Sequence, residues 1–441
     1  MRKSTNKTWA LMAGVSGIAL LTTGCGGAAA GDTSTDAGSS GGSGSTSSDE
    51  NITLTIATFN EWGYEELLTE YEELNPNITV EHKRAATSDE ARANLTTRLA
   101  AGSGLSDIEG VEVDWLTEFM QYPDMFHDLA DPELDGRWFD WKVEAATSED
   151  GQLFGYGTDA GPEGVCYRRD LFEAAGLPTD RDEVAALLEG DWDRYFEVGR
   201  EFVANSDAAW FDSAGATYQG MINQVENPYE EDDGTVIGID HADVKDIYEQ
   251  VLSASVDDGL SANLKQWEPD WKAGFQSNAF ATQLCPGWML GIIEGNSAGV
   301  TGWDVADVFP GGGGNWGGSY LTVPTQTEHP EEAKALAAWL TAPEQQIKAF
   351  QAKGTFPSQV DALDSEDLLG TTDPFFNDAP TGQILANRAE AITASPFKGA
   401  NYFAIHSTVS DAIDRVDVAK TDDAASSWQK ALDDFAALGL E

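Results

Sequence analysis

Basic residues are scarce in this chain: 25 Lys and Arg stand against 76 Asp and Glu, a formal net charge of −51. Such a surface repels phosphates, which argues against a nucleic-acid partner, and its sign disfavours anionic small molecules. Histidine is also sparse. His82, His127, His241, His329 and His406 lie far apart, and none has zinc spacing to another His or to a Cys. No metal and no cofactor is therefore expected. The phosphate loop G-x-x-x-x-G-K-[ST] is missing, so nucleotide hydrolysis is not expected of this chain. Beyond Leu21 no stretch is long and apolar enough to span a bilayer.

What is present begins with three positive charges, Arg2, Lys3 and Lys7, ahead of an apolar run from Trp9 to Leu21 that ends in Leu21-Thr22-Thr23-Gly24-Cys25. This reads as a secretory signal peptide over residues 1–24. Its end resembles a bacterial lipoprotein lipobox, with Thr22 where Leu is commonest, and implies a lipid on Cys25. Ordinary secretion, with Cys25 incidental, is the alternative. Residues 25–50 then hold the cysteine and a tether almost entirely of Gly, Ala, Ser, Thr and Asp, too poor in apolar side chains to form a core. The expected location is the extracellular face of the cytoplasmic membrane. Setting Cys25 aside leaves Cys166 and Cys285, an even pair in an oxidising compartment. They form either a disulfide or two buried thiols.

From Asn51 to Glu441 the chain is longer than one core usually organises, so two lobes are expected. Ile52 to Phe59 alternates as a strand, and Glu65 to Leu74 places Leu67, Leu68, Tyr71 and Leu74 on one helical face. Asn75-Pro76-Asn77 stops that helix before a second strand, Ile78 to Lys83. A helix from Ser88 to Ala101, closed by Gly102, precedes a strand from Ile108 to Val113. This alternation predicts an α/β lobe, in which ligands sit beyond the carboxyl ends of the strands. That rule selects Asn60 and Trp62 after the first strand, and Asp114 and Trp115 after the third.

Gly161-Pro162-Glu163-Gly164-Val165-Cys166-Tyr167-Arg168-Arg169-Asp170-Leu171-Phe172, followed by Glu173-Ala174-Ala175-Gly176-Leu177-Pro178, resembles a segment of the family 1 extracellular solute-binding proteins of sugar ABC importers. Cys285-Pro286-Gly287-Trp288-Met289-Leu290, Asn315-Trp316-Gly317-Gly318-Ser319 and Gly354-Thr355-Phe356-Pro357-Ser358 resemble others. The likeness covers the chain after its leader and extends in particular to actinobacterial cellobiose-binding proteins. It implies a two-lobed periplasmic-binding-protein-like fold with a hinge and an inter-lobe ligand cleft. Lobe I would comprise 51–160 plus 286–341, and lobe II 161–285 plus 342–441. Crossovers would fall near Asp159 to Glu163, Cys285 to Trp288 and Thr341 to Pro343. Cys166 and Cys285 would then lie on neighbouring strands, where a disulfide is geometrically plausible. The implied function is capture of a sugar without chemistry on it, by a monomer that hands the sugar to ABC permease subunits.

The chemistry of such a site can be read independently of that likeness. A sugar presents flat C–H patches and a rim of hydroxyls, so its receptor needs aromatic faces and polar rims. Asn60 with Trp62, Asp114 with Trp115, Asp270 with Trp271, and Asn315 with Trp316 each supply one of both. Any one of 14 Trp can equally be a core residue. Trp316 is the first choice for stacking, because Gly317 and Gly318 let the backbone approach a ligand. Asp114 follows as a charged acceptor, then Asp159 and Trp288 near the expected crossovers, and last Phe356.

Competing readings have thinner support. Gly295-Asn296-Ser297-Ala298-Gly299 matches a nucleophile elbow, but Glu294 and Gly295 interrupt the apolar run before it, so it reads as a polar turn. Gly312-x-Gly314-x-x-Gly317 fits a dinucleotide fingerprint without a strand before it or a helix after it. A lipid-anchored glycoside hydrolase needs only two facing carboxylates, and among 76 acids that rival stays open. A scaffold lipoprotein is the third class, and it would need no cleft.

Overall fold

The computed structural model describes residues 51–394 and 396–440. The expected signal peptide, Cys25 and the expected tether lie outside the described residues. Among the described residues no helix is long and apolar enough to cross a membrane.

Among the described residues nine strands form two sheets: β1 (Ile52–Phe59), β2 (Ile78–Ala85), β3 (Ile108–Glu112), β4 (Gly155–Gly157), β5 (Glu163–Arg168), β6 (Ala209–Phe211), β7 (Phe280–Pro286), β8 (Trp303–Ala306) and β9 (Ser319–Thr322). Sheet I has the order β2-β1-β3-β9-β4 and sheet II the order β6-β7-β5-β8. In sheet I, β1 runs parallel to β2 and β3, with Ile52 beside Ile78 and Ile56 beside Ile108. β9 returns antiparallel between β3 and β4.

Local chemistry explains these elements. β1 alternates, burying Leu54 and Ile56 while Thr53 is exposed. Helix Glu65–Leu74 turns Leu67, Leu68 and Tyr71 inward. Helix Ser88–Ala101 opens on the Thr87 hydroxyl, which accepts the Glu90 N–H at 3.2 Å. It closes at Gly102, whose φ of 66° suits a residue without a side chain. Leu95, Leu99, Leu116 and Leu336 complete the core of sheet I.

Sheet II is buried on both faces. Val165 and Tyr167 point into one core with Phe172, Trp210 and the helix Tyr402–Asp417. Cys166 points into the other with Phe280, Trp303 and Leu385. Cys166 is bonded to Cys285 across the antiparallel β5/β7 pair, with their Cα atoms 5.5 Å apart.

Three passages join the sheets. The first runs from β4 to β5 through residues 158–162. The second was expected near Cys285 to Trp288, with 286–341 on the first lobe, and the structure corrects this. After β7 the chain forms helix Met289–Ser297 and then β8, which pairs with β5 through Val165 opposite Ala306 and Arg168 opposite Trp303. Residues 286–306 therefore stay with sheet II, and the crossing lies at 307–318. The expected polar turn at Gly295 to Gly299 is likewise the end of that helix, where the buried Ser297 hydroxyl donates to the Ile293 carbonyl at 2.7 Å. The third passage is spread over more residues than Thr341 to Pro343. Helix Pro343–Lys353 gives Ala349 to the sheet I core, but Ile347 and Phe350 to the sheet II core.

The passages are bonded to one another. Trp316 N–H donates to the Gly161 carbonyl at 2.8 Å, and Glu163 N–H to the Gly314 carbonyl at 3.0 Å. Gly161 N–H donates to Asn315 Oδ1 at 2.9 Å, and Ala160 N–H to the Phe356 carbonyl at 2.8 Å. At Gly161 a Cβ would overlap the Trp316 carbonyl oxygen, so this contact requires glycine.

Candidate functional site

A cavity of about 340 Å³ lies between the two sheets, at the carboxyl ends of β1 and β3. Its floor is the hinge ribbon, with Asp159, Trp316, Gly317, Gly318 and Ser319. A larger hollow, about 990 Å³, opens beside helix Ala242–Leu252 and holds none of the residues singled out above. Its buried carboxylate, Asp417, is already saturated by Ser255 at 2.5 Å, Asn263 at 2.8 Å and the Ala214 N–H at 3.0 Å. We therefore place the site in the smaller cavity, where unused polar groups and aromatic faces converge.

One wall is aromatic. Trp288 donates its indole N–H to the Trp316 carbonyl at 2.9 Å, and the two rings stand perpendicular, 5.6 Å apart. Trp267 continues this wall, its ring 6.0 Å from Trp288 and inclined by 26°. Sequence reasoning missed Trp267, although Gln266 and Glu268 flank it much as polar residues flank the tryptophans it chose. Its φ of 73° is a costly value for a bulky residue, and such strain gathers at functional sites. Trp62 meets the cavity with little exposed surface, wedged edge-on against Phe59 and Tyr64 at 5.1 and 5.6 Å. The absence of a side chain at Gly110 makes room for its ring.

Polar groups line the remainder. Asn60, at φ 50°, follows β1 directly. Asp114 sits in the first turn of helix Val113–Met120 and is ion-paired with the largely buried Lys398. Beside it, Glu112 accepts the Asp114 N–H at 2.9 Å. Burial, and then the Asp114 charge, push the Glu112 carboxyl well above the usual range. Asp159 accepts from Thr158 Oγ1 at 2.6 Å and from Ser319 N–H at 2.9 Å, and burial raises its carboxyl too. Beneath Gly318 lies Lys142, buried with no hydrogen-bond partner for its ammonium, which lies 4.0 Å from the centre of the Tyr320 ring, and burial lowers it to about 8.

A second polar wall was also missed. Phe403, His406, Ser407, Ser410, Asp411 and Asp414 form one stripe of helix Tyr402–Asp417, while Ile405, Val409, Ala412 and Ile413 face the core. Spacings of three and four residues carry the stripe, but from sequence alone it looks like an ordinary solvated helix face. Burial holds the His406 imidazole down to about 4, so it is neutral at pH 7.

Eight of the eleven binding residues expected from sequence thus meet at one cavity: Asn60, Trp62, Asp114, Asp159, Trp288, Trp316, Gly317 and Gly318. Three do not. Trp115 is a core residue of sheet I, its indole N–H given to Ser88 Oγ at 2.8 Å. Trp271 is fully buried and donates to Asp212 at 2.8 Å, which places it behind Trp267 as a buttress at 5.3 Å. Phe356 is enclosed in the sheet II core, and only its backbone reaches the hinge.

The family model for bacterial extracellular solute-binding proteins matches residues 66–377, and the chain belongs to that family. A crystal structure described as an extracellular solute-binding protein of family 1 is 49% identical, covering 88% of this chain and 99% of its own, with a TM-score of 0.77. The arabinooligosaccharide-binding protein of Bacillus subtilis (strain 168) is 26% identical over 407 residues, 86% of this chain and 88% of that one. In fold the chain also matches the ABC transporter associated binding protein of B. animalis subsp. lactis Bl-04, solved with β-1,6-galactobiose. That match has a TM-score of 0.72 at 19% identity over 86% of this chain and 96% of the other.

Proposed function

We propose that this protein captures a sugar or short oligosaccharide between its two sheet-bearing lobes and delivers it intact to the permease of an ABC importer. The observation that carries this reading is the Trp267, Trp288 and Trp316 wall facing a polar cleft at the strand ends. Indole faces suit the C–H patches of a pyranose, and the carboxylates and amides suit its hydroxyls. The sugars named for its relatives support the ligand class. A lipid on Cys25 would hold the protein, as a monomer, beside its permease. Cellobiose or a cello-oligosaccharide is the preferred ligand, on the resemblance to cellobiose-binding proteins.

The cleft favours a neutral ligand. Seven carboxylates line it (Glu61, Asp89, Glu112, Asp114, Asp159, Asp411 and Asp414) against one lysine, Lys265. Several of these acids are already engaged: Asp114 by Lys398, Asp414 by Lys265, Glu61 by Arg84, and Asp159 by its two donors.

A thermal-shift screen against cello-, malto-, xylo- and arabino-oligosaccharides, with product analysis, tests the proposal. The matching sugar at about a hundred times its Kd adds about 2.7 kcal/mol of stability and raises the melting temperature by several degrees. It is recovered uncleaved, and uronic-acid oligosaccharides give no rise. No rise with any sugar contradicts the proposal, and a rise accompanied by cleavage moves the assignment to a glycoside hydrolase.

A further inference from the structure

The polar stripe of helix Tyr402–Asp417 borders the cleft from Phe403 to Asp414, about 16 Å at about 1.5 Å per residue. Its two ends differ. At the Asp414 end the partner is Lys265, with 51% of its side chain exposed, and Asp411 beside it is also exposed.

At the Phe403 end the two sides of the molecule touch. The Arg92 guanidinium lies 4.2 Å from the centre of the Phe403 ring and is fixed by two bonds to Glu118, of 2.8 and 2.9 Å. Thr117, on helix Val113–Met120, donates its hydroxyl to the Lys398 carbonyl at 2.7 Å. The Lys398 side chain, 6% exposed, ion-pairs with Asp114 and lies 5.1 Å from the centre of the Tyr402 ring. Residues 397–401 are anchored to the sheet II side, since Phe397 N–H donates to the Glu226 carbonyl at 2.7 Å and Asn401 Nδ2 to Glu230 at 2.9 Å.

We infer that residues 398–403 make this end of the cleft blind, and that Lys398 is a specificity-determining residue there. The terminal unit of an oligosaccharide packs against the Asp114–Lys398 pair, and a longer chain extends only toward Lys265 and Asp414. Recognition is then of a chain end and not of an internal stretch. A buried ion pair suits this role, because separating it leaves an uncompensated charge, so a ligand cannot push it aside cheaply. The inference rests on the sugar-binding reading.

End-tagged sugars provide the test. The full protein is titrated with the unmodified cello- or arabino-oligosaccharide that binds it best, then with the same sugar carrying a bulky fluorophore on its reducing end or on its non-reducing end. One tagged form should bind within about tenfold of the unmodified sugar, and the other at least about a hundredfold more weakly. In K398A the rejected form should regain at least about tenfold relative to the unmodified sugar. R92A, which frees Phe403 and leaves the ion pair in place, serves if K398A does not fold. Equal acceptance or equal rejection of both tags, with the unmodified sugar still bound, overturns the inference alone. Failure of every unmodified sugar to bind overturns the sugar-binding reading, and this inference with it.

Discussion

Glu109, on β3, is 5% exposed and accepts the Ser106 N–H at 2.6 Å. Burial raises its carboxyl from 4.5 to about 7. A carboxyl raised in the folded state favours the protonated form, so its stabilisation is fully present below about pH 4.5 and is lost as pH rises through about 7. The E109Q variant keeps an acceptor for Ser106 but cannot ionise. At pH 8 it should therefore be more stable than the parent, by on the order of 3 kcal/mol at about 1.36 kcal/mol per pH unit. Denaturant melts of both proteins between about pH 4.5 and 8 check this, and identical profiles would contradict it. At the same scale, the sequence separated cleft tryptophans from core ones only in part. Trp115 and Trp316 carry similar polar neighbours, yet Trp115 is buried against Ser88 from a distant helix while Trp316 stands in the hinge loop. That difference is made by long-range contacts, which local sequence does not encode. Lys398 escaped notice for the same reason, being 284 residues from Asp114.

Elements with strong local patterning were the legible ones. β1 and the helices Glu65–Leu74 and Ser88–Ala101 occupy the residues that periodicity and caps assigned to them. β2 runs two residues further than its apolar signal, because it pairs with β1 as far as Ala85. β8 was hidden: four residues buried throughout have no alternation to read, and which sheet they join is decided by β5. The Cys166–Cys285 bond ties β5 to β7 across a sequence separation of 119. For a loop of that length, chain-entropy arguments give about 5 kcal/mol. Replacing both cysteines by alanine should lower the thermal midpoint by roughly 5–10 °C while the variant still folds. An unchanged midpoint in calorimetry would mean that sheet packing alone fixes the β5/β7 pair.

Across the whole molecule, two α/β halves are joined by three passages, and hydrogen bonds between those passages gather around Gly161, Asn315 and Phe356. These passages also supply Asp159 and Trp316 to the cleft floor, so under the proposed reading a ligand on Trp316 would bear on both halves. The excess of acid that argues against a nucleic-acid partner extends into the cleft, which seven carboxylates line. The central claim is that this cleft holds an intact sugar. Isothermal titration of the best sugar from the screen into the parent protein and into W316A tests it most directly. The account predicts one site in the parent, sugar recovered uncleaved, and binding at least about tenfold weaker in W316A. Parent-like affinity in W316A, or loss of the sugar to cleavage, would contradict it.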